Sequence, residues 1–389
     1  MVVVDSDGRV IRPAKLWNDT ESAPDAAWLL EQLPGGAGAW ADACGSVPVA
    51  AFTITKLSWL HRNEPEAWAR MAKVLLPHDW LTMALTEQFV TDRGDASGTG
   101  YWSARTGAYR WDLLGLVDKE RDWAESVPRV LGPYEHAGEW NGAAVAPGTG
   151  DNMAASLGVG LQTGDVAISI GTSGTVYAVS ESATSDATGA VAGFADASGR
   201  HLPLVCTMNA TKVTDTIARL LGVDGRGLDE LALAGAPGAG GLTLVPFLDG
   251  ERTPNRPNAR GELFGITTTA SRDHVARAAF EGVVCGLLDG LDALSVAGVP
   301  TGGRLVLVGG GSRSEAYRQI VADLAQRQVT LAPGDEHVAL GACVQAAAVL
   351  NRATMADVIR AWRLGEGHTI EPAPIDAASI RERYAACRG

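Results

Sequence analysis

Three glycine turns, each at a junction between regular elements, constrain this chain more than any other feature of its sequence. Gly148-Thr149-Gly150-Asp151-Asn152 leads from a loop into a helix predicted over residues 152–161. Gly171-Thr172-Ser173-Gly174 joins strands predicted over 166–170 and 175–180. Gly309-Gly310-Gly311 follows a strand over 304–308 and precedes a helix over 314–326. Each has an ordinary reading. Asp151 can be a helix cap, the second turn a plain hairpin in which glycine supplies positive φ, and the third a short strand-to-helix connection.

Each also has a chemical reading. Glycines beside Asp151 let a substrate approach a carboxylate closely. In the second turn, successive backbone N–H groups with the Thr172 and Ser173 hydroxyls can cradle an anion. Strand, glycine turn and helix N-terminus is a phosphate-binding arrangement. The third turn matches neither the dinucleotide fingerprint nor the Walker loop. In this order the three fit phosphoryl transfer without a Walker loop, a reaction that needs positioning, charge stabilisation and a proton acceptor.

Composition narrows the field. With 389 residues the chain is long enough for two domains. A formal net charge of −13 argues against nucleic acid or an anionic membrane as partner. No apolar run reaches the ~18 residues of a membrane span. Five scattered cysteines without a C-x-x-C read as thiols of a reducing compartment, so a soluble cytoplasmic protein is the expectation. Of eleven tryptophans, ten precede residue 141, which points to a boundary near residue 150 and to tryptophans used mostly as core.

The pass along the chain predicts an opening strand over 1–4 with a return strand over 9–14, a helix over 23–32 and a Gly/Ala loop over 35–38. Helical periodicity follows over 56–62 and 65–73, a loop over 91–100, and short helices over 111–116 and 117–126. Beyond the second turn come a helix over 212–221, a strand over 242–246, a long helix over 272–297, a strand over 329–331 and a helix over 340–350. Such alternation argues for α/β layering.

Seven segments, in order, resemble the FGGY carbohydrate kinases. They are Leu16-Trp17-Asn18-Asp19, Pro77-His78-Asp79-Trp80, Asp95-Ala96-Ser97-Gly98-Thr99-Gly100, Gly150-Asp151-Asn152, Ser169 to Gly174, Pro246 to Pro254, and Val308 to Ser314. Trp17-Asn18-Asp19 and Asp95 to Gly98 point within the family to the branch acting on D-xylulose. The resemblance implies a two-domain actin-like (ribonuclease H-like) α/β fold, divided here as residues 1–163 on the sugar side and 164–389 on the nucleotide side. It implies Asp151 as general base, with Asn152, Trp17, Asn18, Asp19 and Asp79 toward the sugar. Gly171, Thr172, Ser173 and Gly174 would meet the phosphates of ATP, and Gly310, Gly311 and Ser314 the nucleoside. ATP and Mg2+ are the implied cofactors; D-xylulose is the implied substrate; no resident metal-ligand set is assigned, and a homodimer is allowed.

The resemblance also carries departures. The family's opening D-x-G-T-type phosphate hairpin and its Q-x-H-G-like sugar segment have no counterpart, so the first domain is expected to be N-terminally incomplete and the chain by itself inactive, poorly soluble or both. Glu21 stands where a basic residue is expected. The alternatives are a kinase for ribulose, gluconate or glycerol, or a member that binds sugar and nucleotide without transferring phosphate.

Overall fold

A computed structural model describes residues 1–389. The chain forms two compact units. The first comprises Met1–Gly160, Val179–Pro203 and Glu336–Leu364; the second comprises Leu161–Ala178, Leu204–Asp335 and Gly365–Gly389. The first stretch ends close to the expected 163/164 division, but residues 179–203 and 336–364 group with the first unit. Linear sequence does not announce such returns, because they are decided by packing.

In the first unit, Val2–Val4 pairs antiparallel with Lys73–Leu75, Val3 opposite Val74. The return strand predicted over 9–14 does not form. Ile11 and Lys15 still donate backbone hydrogen bonds to Val3 and Met1, but only a single bridge, Val4 to Val10, is made. Pro13 lacks the N–H that a continuing ladder needs. The helix Ala23–Gln32 matches its prediction. The Gly/Ala loop is shorter than expected, since Gly36–Cys44 is helical. Pro77–Thr86 is a helix that periodicity did not call, with Pro77 at its first turn. Within the predicted loop 91–100 lies the short helix Arg93–Ser97, started by Asp92, whose side chain accepts from Asp95 N–H.

The core of this unit explains part of the tryptophan excess. Ile54, Leu57 and Leu60, spaced along one face of the helix Thr53–Asn63, pack with Trp40, Trp68, Trp123, Leu29 and Leu113. Of the ten tryptophans before residue 141, Trp40, Trp68, Trp102 and Trp123 are buried and Trp28 and Trp59 pack against the core, as expected, whereas Trp17, Trp80, Trp111 and Trp140 are exposed.

The second unit is built on a mixed sheet. Its seven strands run in the order Ala192–Ala195, His201–Thr207, Gly174–Ala178, Val166–Ile170, Leu305–Val308, Val329–Leu331 and His368–Ile370. The hairpin around residues 171–173 is antiparallel, and Leu305–Val308 then runs parallel to both Val166–Ile170 and Val329–Leu331. An antiparallel start followed by parallel strands is the actin-like, ribonuclease H-like arrangement expected from the sequence. The strands are near-continuous apolar runs because both faces are covered. One cover is the helix Arg272–Val296, buried along much of its length. Asp165 ties the sheet's edge loops together by accepting from the backbone N–H of Arg304 at 2.7 Å and from its Nη2 at 2.6 Å. No single helix is long and apolar enough to cross a membrane.

Candidate active site

Asp151 opens the helix Asp151–Gly158, and Gly150 rather than Asp151 is the N-cap. The capping reading of Asp151 is therefore replaced. Its carboxylate is exposed in the first turn, where Oδ1 accepts from Asn152 N at 2.7 Å and Asn152 Nδ2 at 2.8 Å. Asn152 thus orients the acid. The helix is anchored by close approach to His337–Asn351: a methyl on Gly158 would stand 2.0 Å from the His337 carbonyl oxygen.

Beside this turn lies a group of acids around one histidine. His78 Nδ1 is 3.2 Å from Asp79 Oδ1, 3.4 Å from Asp95 Oδ2 and 3.6 Å from Asp92 Oδ2. Burial alone would strip the proton from His78. The hydrogen bond to Asp79 and the charges of Asp92, Asp95 and Asp79 outweigh it and raise the pKa to about 10. Burial pushes Asp95 up to about 6, with His78 pulling it down and Asp79 and Asp151 pushing it further up. Burial likewise raises Asp92 well above the carboxylate range. His78, Asp92 and Asp95 set three ligand atoms within 4.8 Å of one another. His78 thus stands as the cationic partner in the midst of these carboxylates.

Asp79, expected toward the sugar, is 1% exposed. Its Oδ2 accepts from Leu76 N–H at 2.7 Å, so it closes the start of its own helix and partners His78. Trp17 is 66% exposed in the loop before the first helix. Asn18 is exposed, and Asp19 holds the loop by accepting from Glu21 N–H at 3.0 Å. That bond, ahead of the nearby lysines, keeps the Asp19 carboxyl below its ordinary range, against some burial. Glu21 pairs with Lys15 at 2.5 Å, which accounts for an acid at this position.

In the second unit a cavity of about 810 Å³ gathers Gly171, Thr172, Gly310, Gly311 and Ser314. The cavity wall includes Gly171 and Thr172 but stops short of Ser173 and Gly174. Gly174 has another job, since a methyl there would stand 2.6 Å from Leu287 Cδ2. Neither Gly171 nor Gly174 has positive φ, so the plain-hairpin reading of these glycines fails. The carbonyls of Gly171 and Thr172 accept from the N–H groups of Thr211 and Ala210. At the third turn Gly309 does need positive φ (84°), and a methyl there would meet the Ile170 carbonyl at 2.7 Å. Ser314 caps the helix Glu315–Ala325 by accepting from Tyr317 N–H and donates to Asp229 Oδ1 at 2.7 Å.

Sequence reasoning missed Asp229, Thr214, Phe280 and Tyr317, which also line the cavity. Asp229 lies 85 residues from Ser314 and sits in an unremarkable helix, so no local signal marks it. His78, Asp92 and Asp95 fell in or beside quoted segments without a role.

The N-terminal domain profile of the FGGY family of carbohydrate kinases matches residues 1–160, and the C-terminal domain profile matches residues 166–350. The chain belongs to the FGGY family of carbohydrate kinases. Among its FGGY relatives, the xylulose kinase of Streptomyces coelicolor is 44% identical over 389 residues, covering 98% of this chain and 78% of the relative. The Escherichia coli xylulose kinase is 35% identical over 352 residues, covering 87% and 72%. The crystal structure of xylulose kinase from Bifidobacterium adolescentis superposes with a TM-score of 0.86 at 40% identity, covering 100% of this chain and 85% of that one. As an FGGY kinase the protein is an ATP-using phosphotransferase to an alcohol group.

Proposed function

We propose that this FGGY kinase transfers the γ-phosphoryl group of Mg-ATP to D-xylulose, giving D-xylulose 5-phosphate and ADP, with Asp151 as general base. The observation that carries the sugar assignment is 44% identity to a xylulose kinase across 98% of the chain. Ribulose, gluconate and glycerol are not favoured.

Asp151 Oδ1 is held by both donors of Asn152, which leaves Oδ2 to face the sugar. The O5 proton passes to Oδ2. O5 then bonds to the γ-phosphorus as the bond to the β–γ bridging oxygen breaks, and ADP carries away those electrons. A positioned base contributes roughly 10²–10⁴-fold. The first unit supplies Asp151 and Asn152, with Trp17, Asn18 and Asp19 on an accessible loop suited to sugar hydroxyls. Asp79 supports the cluster behind them rather than touching sugar.

The cavity of the second unit suits a nucleotide in size and chemistry. Gly171 and Thr172 bring backbone and hydroxyl to the phosphates, Gly310 and Gly311 leave room beside the nucleoside, and Ser314 with Asp229 offers polar groups to it. Ser173 and Gly174 support the hairpin. Mg2+, bound with the triphosphate, would supply the charge that offsets the build-up on the transferring phosphoryl group. The setting for this reaction is the cytoplasm, with a homodimer as the assembly to look for.

Replacing Asp151 with Asn tests the assignment. ADP release with D-xylulose is expected to fall at least 10²-fold, while calorimetry still records sugar binding. Activity within a few-fold of wild type overturns the base assignment. A larger kcat/KM for ribulose, gluconate or glycerol than for D-xylulose overturns the sugar assignment.

A further inference from the structure

We propose that His78 is a positioning residue for Asp151: ion-paired to Asp79, Asp92 and Asp95, it forms the floor on which the turn Gly148-Thr149-Gly150 rests and so sets where the following helix begins. The inference rests on the reading of Asp151 as general base.

The contact is unusually close on every residue of the turn. A methyl on Gly148 would lie 2.0 Å from His78 Nε2, and one on Gly150 would lie 2.9 Å from Asp95 Oδ1. Thr149 Oγ1 lies against Gly94, where a methyl would stand 2.8 Å from it. Only bare backbone fits against the ring edge and the carboxylate. From above, Gln345 Nε2 donates to the Gly148 carbonyl at 3.0 Å. The turn is thus held between helices, and Gly150 O accepts the first helical bond from Ala154 N–H at 2.9 Å.

The floor itself is fixed by charge. Asp79 holds the N-cap of the His78 helix, Asp92 holds the N-cap of the Asp95 helix, and both turn an oxygen toward His78 Nδ1. Asp92 Oδ2 is buried and makes no hydrogen bond, so its nearest compensation is the charge of His78 at 3.6 Å. Removing that charge takes away the ion pairs that hold Asp79, Asp92 and Asp95 against the ring, and the floor loosens beneath the turn. A base displaced by about 1 Å loses on the order of 10²-fold in rate.

The decisive comparison is His78→Gln against His78→Lys, the second restoring a cation among the same acids. His78→Gln is expected to lower kcat roughly 10–100-fold with KM for ATP unchanged, and His78→Lys to recover a substantial part of kcat. Nitrogen NMR of the wild-type ring at pH 8 is expected to show both nitrogens protonated. A second pair needs no change at His78. Gly148 and Gly142 share the same backbone strain, with φ of 79° and 78°, but a methyl at Gly142 meets nothing. Gly148→Ala is expected to lose at least tenfold more kcat than Gly142→Ala. Wild-type kcat in His78→Gln, a neutral ring at pH 8, or equal effects at the two glycines overturns the proposal. Asp151→Asn run alongside separates the two readings: full activity there removes the base assignment and this proposal with it, whereas loss there beside an unaffected His78→Gln removes this proposal alone.

Discussion

Gly341 lies so close to Ala154 that a methyl group on its Cα would stand 1.7 Å from the Ala154 carbonyl oxygen. These two residues carry the tightest point of contact between the helix His337–Asn351 and the helix that begins at Asp151. Backbone meets backbone here, and neither side has a flexible atom to yield. Gly341→Ala is expected to destabilise the protein by about 1–3 kcal/mol, the usual range for overpacking. It is also expected to lower kcat more than KM for ATP, because the helix that moves bears the proposed base. Thermal unfolding and steady-state kinetics of the one variant check both halves; an unchanged Tm refutes the contact.

Ser314 links a helix cap to the cavity of the second unit. Its Oγ accepts from Tyr317 N–H at 3.1 Å and donates to Asp229 Oδ1. Burial raises the Asp229 pKa, and the Ser314 bond works against that by stabilising the charged form. Ser314→Ala removes both links. A loss of about 1 kcal/mol from the cap is expected, together with a higher KM for ATP and little change in KM for D-xylulose. Equal effects on both KM values would contradict the placement of Ser314 on the nucleotide side.

Stability is expected to fall as pH rises, and the histidine cluster sets the direction. His78 has a pKa of about 10 in the fold against 6.5 when free, so the native state keeps a proton that the unfolded chain releases. That contribution is complete below pH 6.5 and lost as pH climbs toward 10. Asp95, at about 6 in the fold against 3.8, acts in the same direction at lower pH: its burial costs nothing while it is protonated and costs fully once pH passes 6. The Tm of wild type is expected to drop more steeply between pH 7 and 10 than that of His78→Gln. Parallel curves would show that the ion pairs carry no weight.

Much of this was legible in sequence. Near-continuous apolar runs such as 166–170 and 305–308 read as buried strands, and the long helix Arg272–Val296 lies within the stretch read as helical over 272–297. Local patterns of this kind are set by neighbours in the chain. The glycine turns were also visible, because a glycine before a helix is a local signal. Their purposes were not. Gly174 looked like a turn residue supplying positive φ and is instead a packing residue against Leu287, which is 113 positions away. Asp79 looked like a sugar ligand and is buried beneath its own helix start.

By itself the sequence determined much of the strand and helix alternation beyond residue 150, the family, and the presence of an acid at position 151 where a helix begins. Periodicity and short motifs carry those. Only the tertiary structure decided that residues 336–364 return to the first unit, that Asp229 meets Ser314, and that His78 sits among Asp79, Asp92 and Asp95 beneath the turn leading to Asp151. Such contacts join residues far apart in the chain. They exist only once burial removes water, and it is then that each buried charge must find its partner.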